Sequence, residues 1–263
     1  MAEPIGVVLS GATGRMGTTL GALIAEDPAF ALVGGIGRMP ERGCDIGCPI
    51  VETPETAGAF LEKADVVIDF SAPELLHRLL EMHGHHFVGK ALVVGTTGLG
   101  DDDLARLEET AGEAAVLRAA NFSVGVNLLV ALAERAAAVL GDDYDVEIVE
   151  THHRRKVDAP SGTALALGEG VARGREVDLA SARVDGRSGR PGARPRGEIG
   201  FHALRGGDVV GEHRVMFIGD RERIELAHLA QDRALFAEGA LRAAKWLAGK
   251  PAGSYTMRDV LGL

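Results

Sequence analysis

The sequence predicts an α/β protein: a doubly wound parallel sheet, followed by a smaller α+β region of helix and mixed or antiparallel sheet. Three observations carry that prediction. Short apolar runs alternate with helix-length segments from residue 5 to residue 119, the pattern of βαβ units. A glycine loop, Gly11-Ala12-Thr13-Gly14-Arg15-Met16-Gly17, lies between the first run and the first helical segment, the context a dinucleotide fingerprint requires. At Val124 the pattern changes to one long apolar helix and then to longer alternating strands.

Taken in order, Ile5–Ser10 reads as a buried parallel strand, and residues 18–26 as the helix after the glycine loop. The loop spacing is G-x-x-G-x-x-G rather than G-x-G-x-x-G. Residues 31–36 form the second strand. Just beyond it, about 20 residues past the loop, an acidic residue holds the ribose 2′-hydroxyl in NAD-binding sheets. Here that position is Gly37, followed by Arg38. Arg15 and Arg38 can face a 2′-phosphate and no carboxylate repels it, so charge predicts a preference for NADPH. Residues 65–70 form a strand leading to Ser71-Ala72-Pro73-Glu74, where Pro73 starts a helix that runs to about His83. His83, His85 and His86 at that polar helix end are expected to be solvated, with no metal. Ala91–Val94 is a strand ending in Gly95-Thr96-Thr97-Gly98. Residues 101–115 form a helix with an acidic first turn. Residues 115–119 form a strand that runs into Ala119-Ala120-Asn121-Phe122. Ligands of such sheets lie outside the carboxyl ends of the strands. The clusters at 11–16, 95–97 and 119–122 therefore converge on one cofactor cleft.

In the second region, Val124–Leu140 is a long apolar helix and residues 144–151 an alternating strand. Residues 174–198, rich in Gly, Arg and Pro, are expected to be an exposed loop or a partner-binding arm. Three strand-like runs follow at 197–205, 208–218 and 222–229, and Gly206-Gly207 predicts a hairpin between the first two. Residues 233–247 form a helix, and Met257–Leu261 is a tail expected to pack back on the first domain.

Composition narrows the function. With 28 Lys plus Arg against 38 Asp plus Glu, the formal charge is −10, which argues against a nucleic-acid binder. No uninterrupted apolar run approaches the roughly 20 residues of a membrane helix. Met1-Ala2-Glu3-Pro4 lacks a basic signal-peptide region. A cytoplasmic protein is expected, with Cys44 and Cys48 reduced and no zinc partners near them.

Against this acidic background stands a basic island, Glu150-Thr151-His152-His153-Arg154-Arg155-Lys156-Val157-Asp158-Ala159-Pro160-Ser161-Gly162-Thr163-Ala164. Pro160 stops a helix from entering from upstream, Ser161 is suited to N-cap the helix at 164–172, and Gly162 leaves room for a ligand beside the backbone. The open N–H groups of the first helical turn suit a carboxylate or phosphate. Distant charges are screened beyond about 8 Å, so the local cations outweigh the global field. Adjacent histidines on a strand point to opposite faces, so His152 and His153 are not placed to share a metal ion.

Every fixed position of the pattern E-x-H-H-x-x-K-x-D-x-P-S-G-T-A is present in Glu150–Ala164. In this the chain closely resembles the 4-hydroxy-tetrahydrodipicolinate reductases, also called dihydrodipicolinate reductases, of the diaminopimelate route to lysine. Gly11–Gly17, Gly95–Gly98, 119–126, 206–213 and Met257–Leu261 look like blocks of the same family. The resemblance implies a Rossmann-like dinucleotide-binding domain at 1–123 and 233–263. It also implies a substrate-binding and oligomerisation domain with an open mixed sheet at 124–232. Similar proteins use NADPH or NADH to reduce a cyclic dicarboxylate imine with loss of water, and are homotetramers joined through the C-terminal sheets. By resemblance, His152 and Lys156 are the proton donors, and His153, Ser161, Gly162 and Thr163 hold the dicarboxylate. The nucleotide falls to Gly11, Ala12, Thr13, Gly14, Arg15, Met16, Arg38, Gly95, Thr96, Thr97, Ala119, Ala120, Asn121 and Phe122. Two positions depart from many relatives: Gly37 replaces an acid, and Arg155 stands where some carry a third histidine. The competing readings are another two-domain NAD(P)-dependent dehydrogenase and a non-catalytic NADPH sensor.

Overall fold

The computed structural model describes residues 3–38, 47, 50–51 and 53–263. Cys44 and Cys48 lie outside the described residues. The chain divides into two compact units, Met1–Ser123 with Ala234–Gly262, and Val124–Arg233 with Leu263.

The first unit is built on β1 (Ile5–Ser10), α1 (Arg15–Glu26), β2 (Phe30–Ile36), β3 (Ile50–Val51), α2 (Gly58–Leu61), β4 (Val66–Asp69), α3 (Pro73–His83), β5 (Ala91–Val94), α4 (Asp101–Ala111) and β6 (Ala115–Arg118). The chain leaves for the second unit through α5 (Val124–Leu140), β7 (Asp145–His152), α6 (Gly162–Gly174), α7 (Leu179–Ala182), β8 (Arg183–Asp185), β9 (Ile199–Arg205), β10 (Gly211–Ile218) and β11 (Arg223–Ala230). It returns with α8 (Ala234–Leu247), β12 (Gly253–Tyr255) and α9 (Met257–Leu261).

The first sheet has seven strands in the order β12-β6-β5-β4-β1-β2-β3, all pairings parallel. Its strands are apolar on both faces because both are covered. One face packs Val7, Leu9, Ile68 and Val93 against Leu20 and Ile24 of α1 and Ala240, Ala244 and Leu247 of α8. The other packs Val8, Val67, Leu92 and Val94 against Leu61, Leu76, Leu79 and Leu107. The strand order reverses between β1 and β4, so their carboxyl ends part there and leave a crevice. Pro73 opens α3 as its first residue, and Asp103 receives the Gly100 N–H at 3.0 Å to start α4. β12 escapes a sequence reading because it is three residues long and rests on β6 for its hydrogen bonds.

The second sheet is mixed, in the order β11-β10-β7-β9-β8. β7 pairs parallel with β9 and antiparallel with β10. The hairpin expected at Gly206-Gly207 is therefore absent, since β7 lies between β9 and β10. The glycine pair instead carries the chain across the end of β7. The Gly206 N–H donates to His152 O, and the Arg154 N–H to Gly207 O. The antiparallel hairpin of this sheet is β10–β11, closed where the Gly219 N–H meets Glu222 O at 2.9 Å.

α5 and α6 cover one face of this sheet with Leu129, Ala133, Ala137, Leu167 and Val171. Val124–Asp143 is long and apolar enough to cross a membrane by length and composition, although Glu134 and Arg135 interrupt its apolar run. Its buried stripe against α6 makes it a core helix of this unit.

Residues 174–198 include the largely exposed loop expected, at 186–198, but are not loop throughout. They contain α7 and β8, and they fold over Glu147, which is 9% exposed. Arg187 Nη1 donates to Glu147 Oε1 at 2.8 Å, Arg194 Nε to the same oxygen at 3.1 Å, and Arg194 Nη1 to Asp145 at 2.5 Å. A charged group so far from water needs such partners, and the arginines that look like a free basic arm in the sequence supply them. His83 is likewise buried rather than solvated, with Nε2 at 2.6 Å from Pro54 O.

Candidate active site

The first unit carries a cavity of about 470 Å³ at the carboxyl edge of its sheet, lined by Gly11, Thr13, Gly14, Gly37, Arg38 and Phe70 among others. Its floor is backbone. Gly11 has φ +80°, and a Cβ there would stand 2.4 Å from Phe70 O, at the end of β4. A Cβ on Gly17 would stand 2.3 Å from Gly11 O, so α1 approaches the loop more closely than any side chain permits. The Gly11 and Ala12 N–H groups are occupied by Ile36 O. Gly14 caps α1 without a side-chain bond, which leaves the positive end of α1 open to an anion such as a pyrophosphate. Gly37 has a steric reason beside the electrostatic one: a Cβ there would lie 2.9 Å from Thr13 Oγ1. Arg38 is exposed and lines the cavity, and Arg15 is exposed at the first turn of α1.

Beneath this edge Asp69 is fully buried, and burial pushes its carboxyl up. It receives hydrogen bonds from Ser71 Oγ at 2.6 Å and Thr96 Oγ1 at 2.5 Å. Thr96 thus spends its hydroxyl on the scaffold. Phe122 is 2% exposed and packs on Phe70 with ring centroids 5.4 Å apart, so its ring is core. Asn121 Oδ1 accepts the Ser123 N–H at 2.8 Å. Gly95, Thr97, Ala119 and Ala120 follow β5 and β6 at the same edge without lining this cavity.

The second unit gathers the basic island at the end of β7. Glu150 and His152 are two residues apart and so share the buried face of the strand. His152 Nδ1 lies 2.5 Å from Glu150 Oε2. Arg205 grips the same carboxylate with both terminal nitrogens at 2.7 Å, and the Ser161 N–H donates to Oε1 at 3.1 Å. Burial alone would raise the Glu150 carboxyl. The bonds from Arg205, His152 and Ser161 outweigh it and hold Glu150 below the usual carboxylate range. Ser161 caps α6 by accepting the Ala164 N–H at 3.2 Å, and its hydroxyl also meets His213 Nε2 at 2.9 Å. Burial, followed by the nearby His152, pushes His213 down to about 4, so that ring is neutral at pH 7. Burial and the neighbouring cations, Arg155 foremost, also lower His153. Lys156 Nζ is 2.8 Å from Asp158. Gly162 is exposed and Thr163 half-buried in the first turn of α6. Among the described residues, no group of three or more His, Cys, Asp or Glu is arranged to hold a metal.

Comparison with known proteins bears on both units. The family description "Dihydrodipicolinate reductase, N-terminus" matches residues 5–122, and "Dihydrodipicolinate reductase, C-terminus" matches residues 125–261. The chain belongs to the dihydrodipicolinate reductase family. It is 46% identical over 271 residues to the 4-hydroxy-tetrahydrodipicolinate reductase of Ruegeria sp. (strain TM1040), covering 100% of both chains. It is 48% identical over 275 residues to that of Cereibacter sphaeroides (strain ATCC 17029 / ATH 2.4.9), again covering 100% of both. The dipicolinate-bound dihydrodipicolinate reductase from Paenisporosarcina sp. TG-14 shares its fold, with TM-score 0.76 at 22% identity over 96% of this chain and 97% of that one. GenD2 of gentamicin A biosynthesis, in complex with NAD, is more distant in fold, with TM-score 0.59 at 15% identity over 99% and 91%.

For this family member, the structure brings His152, Ser161 and the start of α6 together. It adds Glu150, Arg205 and His213, to which the sequence reading gave no role. The signal for Glu150 was its two-residue spacing from His152. Arg205 and His213 have no local signal. They arrive through register, Arg205 opposite His152 across β9 and His213 opposite Glu150 across β10. On the first unit the reading also missed Arg78, which lines the cavity and is paired with Glu55.

Proposed function

We propose that this reductase converts (2S,4S)-4-hydroxy-2,3,4,5-tetrahydrodipicolinate to tetrahydrodipicolinate with loss of water, in lysine biosynthesis through diaminopimelate, and that it prefers NADPH. The buried Glu150–His152 pair beside the capped start of α6 carries this reading, together with family membership over the whole chain. Gly11–Met16 and Arg38 hold the nicotinamide dinucleotide, with the backbone at 95–97 and 119–122. Bound there, the cofactor supplies a hydride.

The chain's own residues do the rest. Hydride addition to a conjugated imine leaves negative charge that must be met by a proton. His152 Nε2 delivers it, and a histidine is suited to that role near neutral pH. Lys156 stabilises the developing charge and is the second proton donor. The Ser161-Gly162-Thr163 turn at the positive end of α6 holds one substrate carboxylate, and His153 assists. Arg38 faces a 2′-phosphate at a position where Gly37 offers no carboxylate. The protein acts in the cytoplasm as a homotetramer joined through the open face of the second sheet, where Leu204 and Leu229 are 53% and 61% exposed.

A coupled assay tests the reaction. The substrate is generated in situ from pyruvate and aspartate semialdehyde by the preceding synthase, and oxidation of NADPH and NADH is followed separately. Oxidation that depends on the synthase product is expected, faster with NADPH. Arg38→Gln is expected to lower kcat/KM for NADPH roughly ten-fold or more, from the ~1.5–3 kcal/mol of one charge-assisted hydrogen bond, and to leave NADH unchanged. No oxidation with cofactor binding intact would move the weight to another dehydrogenase or to a sensor.

A further inference from the structure

We propose that Glu150 and Arg205 are a positioning pair, which fixes the nitrogen that His152 presents to substrate. The inference rests on the reading of His152 as a proton donor. Glu150 itself is 1% exposed and touches no substrate, so it acts through the ring beside it.

Three geometric facts carry it. First, an ionised carboxylate only accepts, so the 2.5 Å contact to Glu150 Oε2 requires a proton on His152 Nδ1. Nε2 is then the sole nitrogen that gains and loses a proton. Second, space is kept at that nitrogen: a Cβ on Gly211 would lie 3.0 Å from His152 Nε2. Third, the carboxylate is itself held in place. Arg205 engages both oxygens at 2.7 Å, in the bidentate geometry that fixes the plane of the carboxylate. The guanidinium thereby sets which edge of the carboxylate faces Nδ1 and so the orientation of the ring. The same Arg205 donates to Asp158 O at 2.7 Å, which ties the segment bearing Lys156 to the end of β7.

The other groups around His152 do not replace this pair. His213 stands edge-on with its centroid 5.1 Å away, is neutral near pH 7 and is engaged with Ser161. Lys156 is held by Asp158, and His153, the next residue along the chain, is directed to the opposite face from His152. Asp158 is occupied by Lys156.

The test uses full-length protein carrying ¹⁵N-labelled histidine, in the wild type and in Glu150→Gln, Arg205→Lys and Arg205→Gln. The His152 signals are assigned by their loss in His152→Gln. Long-range ¹H–¹⁵N spectra report the tautomer, and the coupled assay reports kcat, KM and the pH profile. The wild-type ring is expected to be protonated at Nδ1. In Glu150→Gln the amide donates to Nδ1 and moves the proton to Nε2. kcat falls about 10²-fold or more, the scale of a lost general acid, and KM for the dicarboxylate changes far less. Arg205→Gln keeps the tautomer but moves the alkaline limb of kcat/KM up by about one pH unit, a shift of a size common for a removed neighbouring charge. Arg205→Lys restores most of that displacement.

A wild-type ring protonated at Nε2 would overturn the proposal. So would an unchanged tautomer and pH profile in Glu150→Gln, even with activity lost, because the pair would then be scaffold only. If Glu150→Gln does not fold, the wild-type tautomer and the two Arg205 variants still decide. A wild type that turns nothing over sinks the proposed reaction, while the tautomer measurement continues to test the pair.

Discussion

Acidification should loosen the second unit through one ring, His213. Its value is about 4 in the folded protein, against about 6.5 in an unfolded chain. Between those values the unfolded state binds more protons, so the free energy of unfolding rises with pH across the window. The contribution is complete above about pH 6.5 and is lost as the pH falls toward 4, a change of roughly 3 kcal/mol. His213→Gln removes the titrating group while keeping an amide within reach of Ser161 Oγ. The single tryptophan, Trp246, lies in α8 of the first unit and is blind to this change. Amide exchange in α6, whose N-cap His213 contacts, reads it directly once rates are corrected for intrinsic pH dependence. Other histidines with lowered values, His86, His153 and His228, are common to both proteins and cancel in the comparison. The wild type should therefore lose about 3 kcal/mol more protection in α6 than the variant between pH 7 and pH 4. Equal slopes in the two proteins would refute the account of His213 as a neutral buried partner of Ser161.

Two further outcomes follow from the packing. Gly17→Ala forces a methyl against Gly11 O and Ala12 O; overpacking of this kind costs about 1–3 kcal/mol, so Trp246-monitored unfolding should move to lower denaturant and NADPH should bind more weakly by titration calorimetry. Arg194→Ala removes donors from Glu147, Asp145 and the carbonyls of Val146 and Glu198; limited proteolysis should then cut within 186–198 faster than in the wild type, and the unit should lose roughly 2 kcal/mol.

The parts of the fold legible in the sequence are those with local causes. β1 and β5 have their observed bounds because buried parallel strands are short apolar runs stopped by glycine loops. α1 begins at Arg15 rather than 18 because its first turn lies within the glycine loop itself, where propensity gives no signal. The Gly206-Gly207 hairpin failed for a non-local reason: a two-residue turn cannot reveal that a third strand, β7, some 50 residues earlier in the chain, pairs between the two it appears to join. The arginines at 187 and 194 read as solvated because their partner, Glu147, sits on a strand whose outer face looks polar and open in sequence. At the candidate site, the cap at Ser161 was legible from the Pro-Ser-Gly step before a helical run, while His152 and His153 were singled out by the family resemblance. Arg205 and His213 were not, since only strand register brings them to Glu150.

The first unit is discontinuous, and this orders its biogenesis. Its sheet face over α1 is completed by Ala237, Ala240, Leu241, Ala243, Ala244 and Leu247 of α8, and its edge by β12 at Gly253–Tyr255. A ribosome delivers those residues only after the second unit. The inserted second unit, Val124–Arg233, is contiguous and already whole by then. Although domains usually fold in the order of synthesis, here the earlier segment waits longer, with the apolar side of β4, β5 and β6 uncovered until the second unit and α8 have emerged. Nascent chains stalled before α8 are where chaperone capture of this protein belongs.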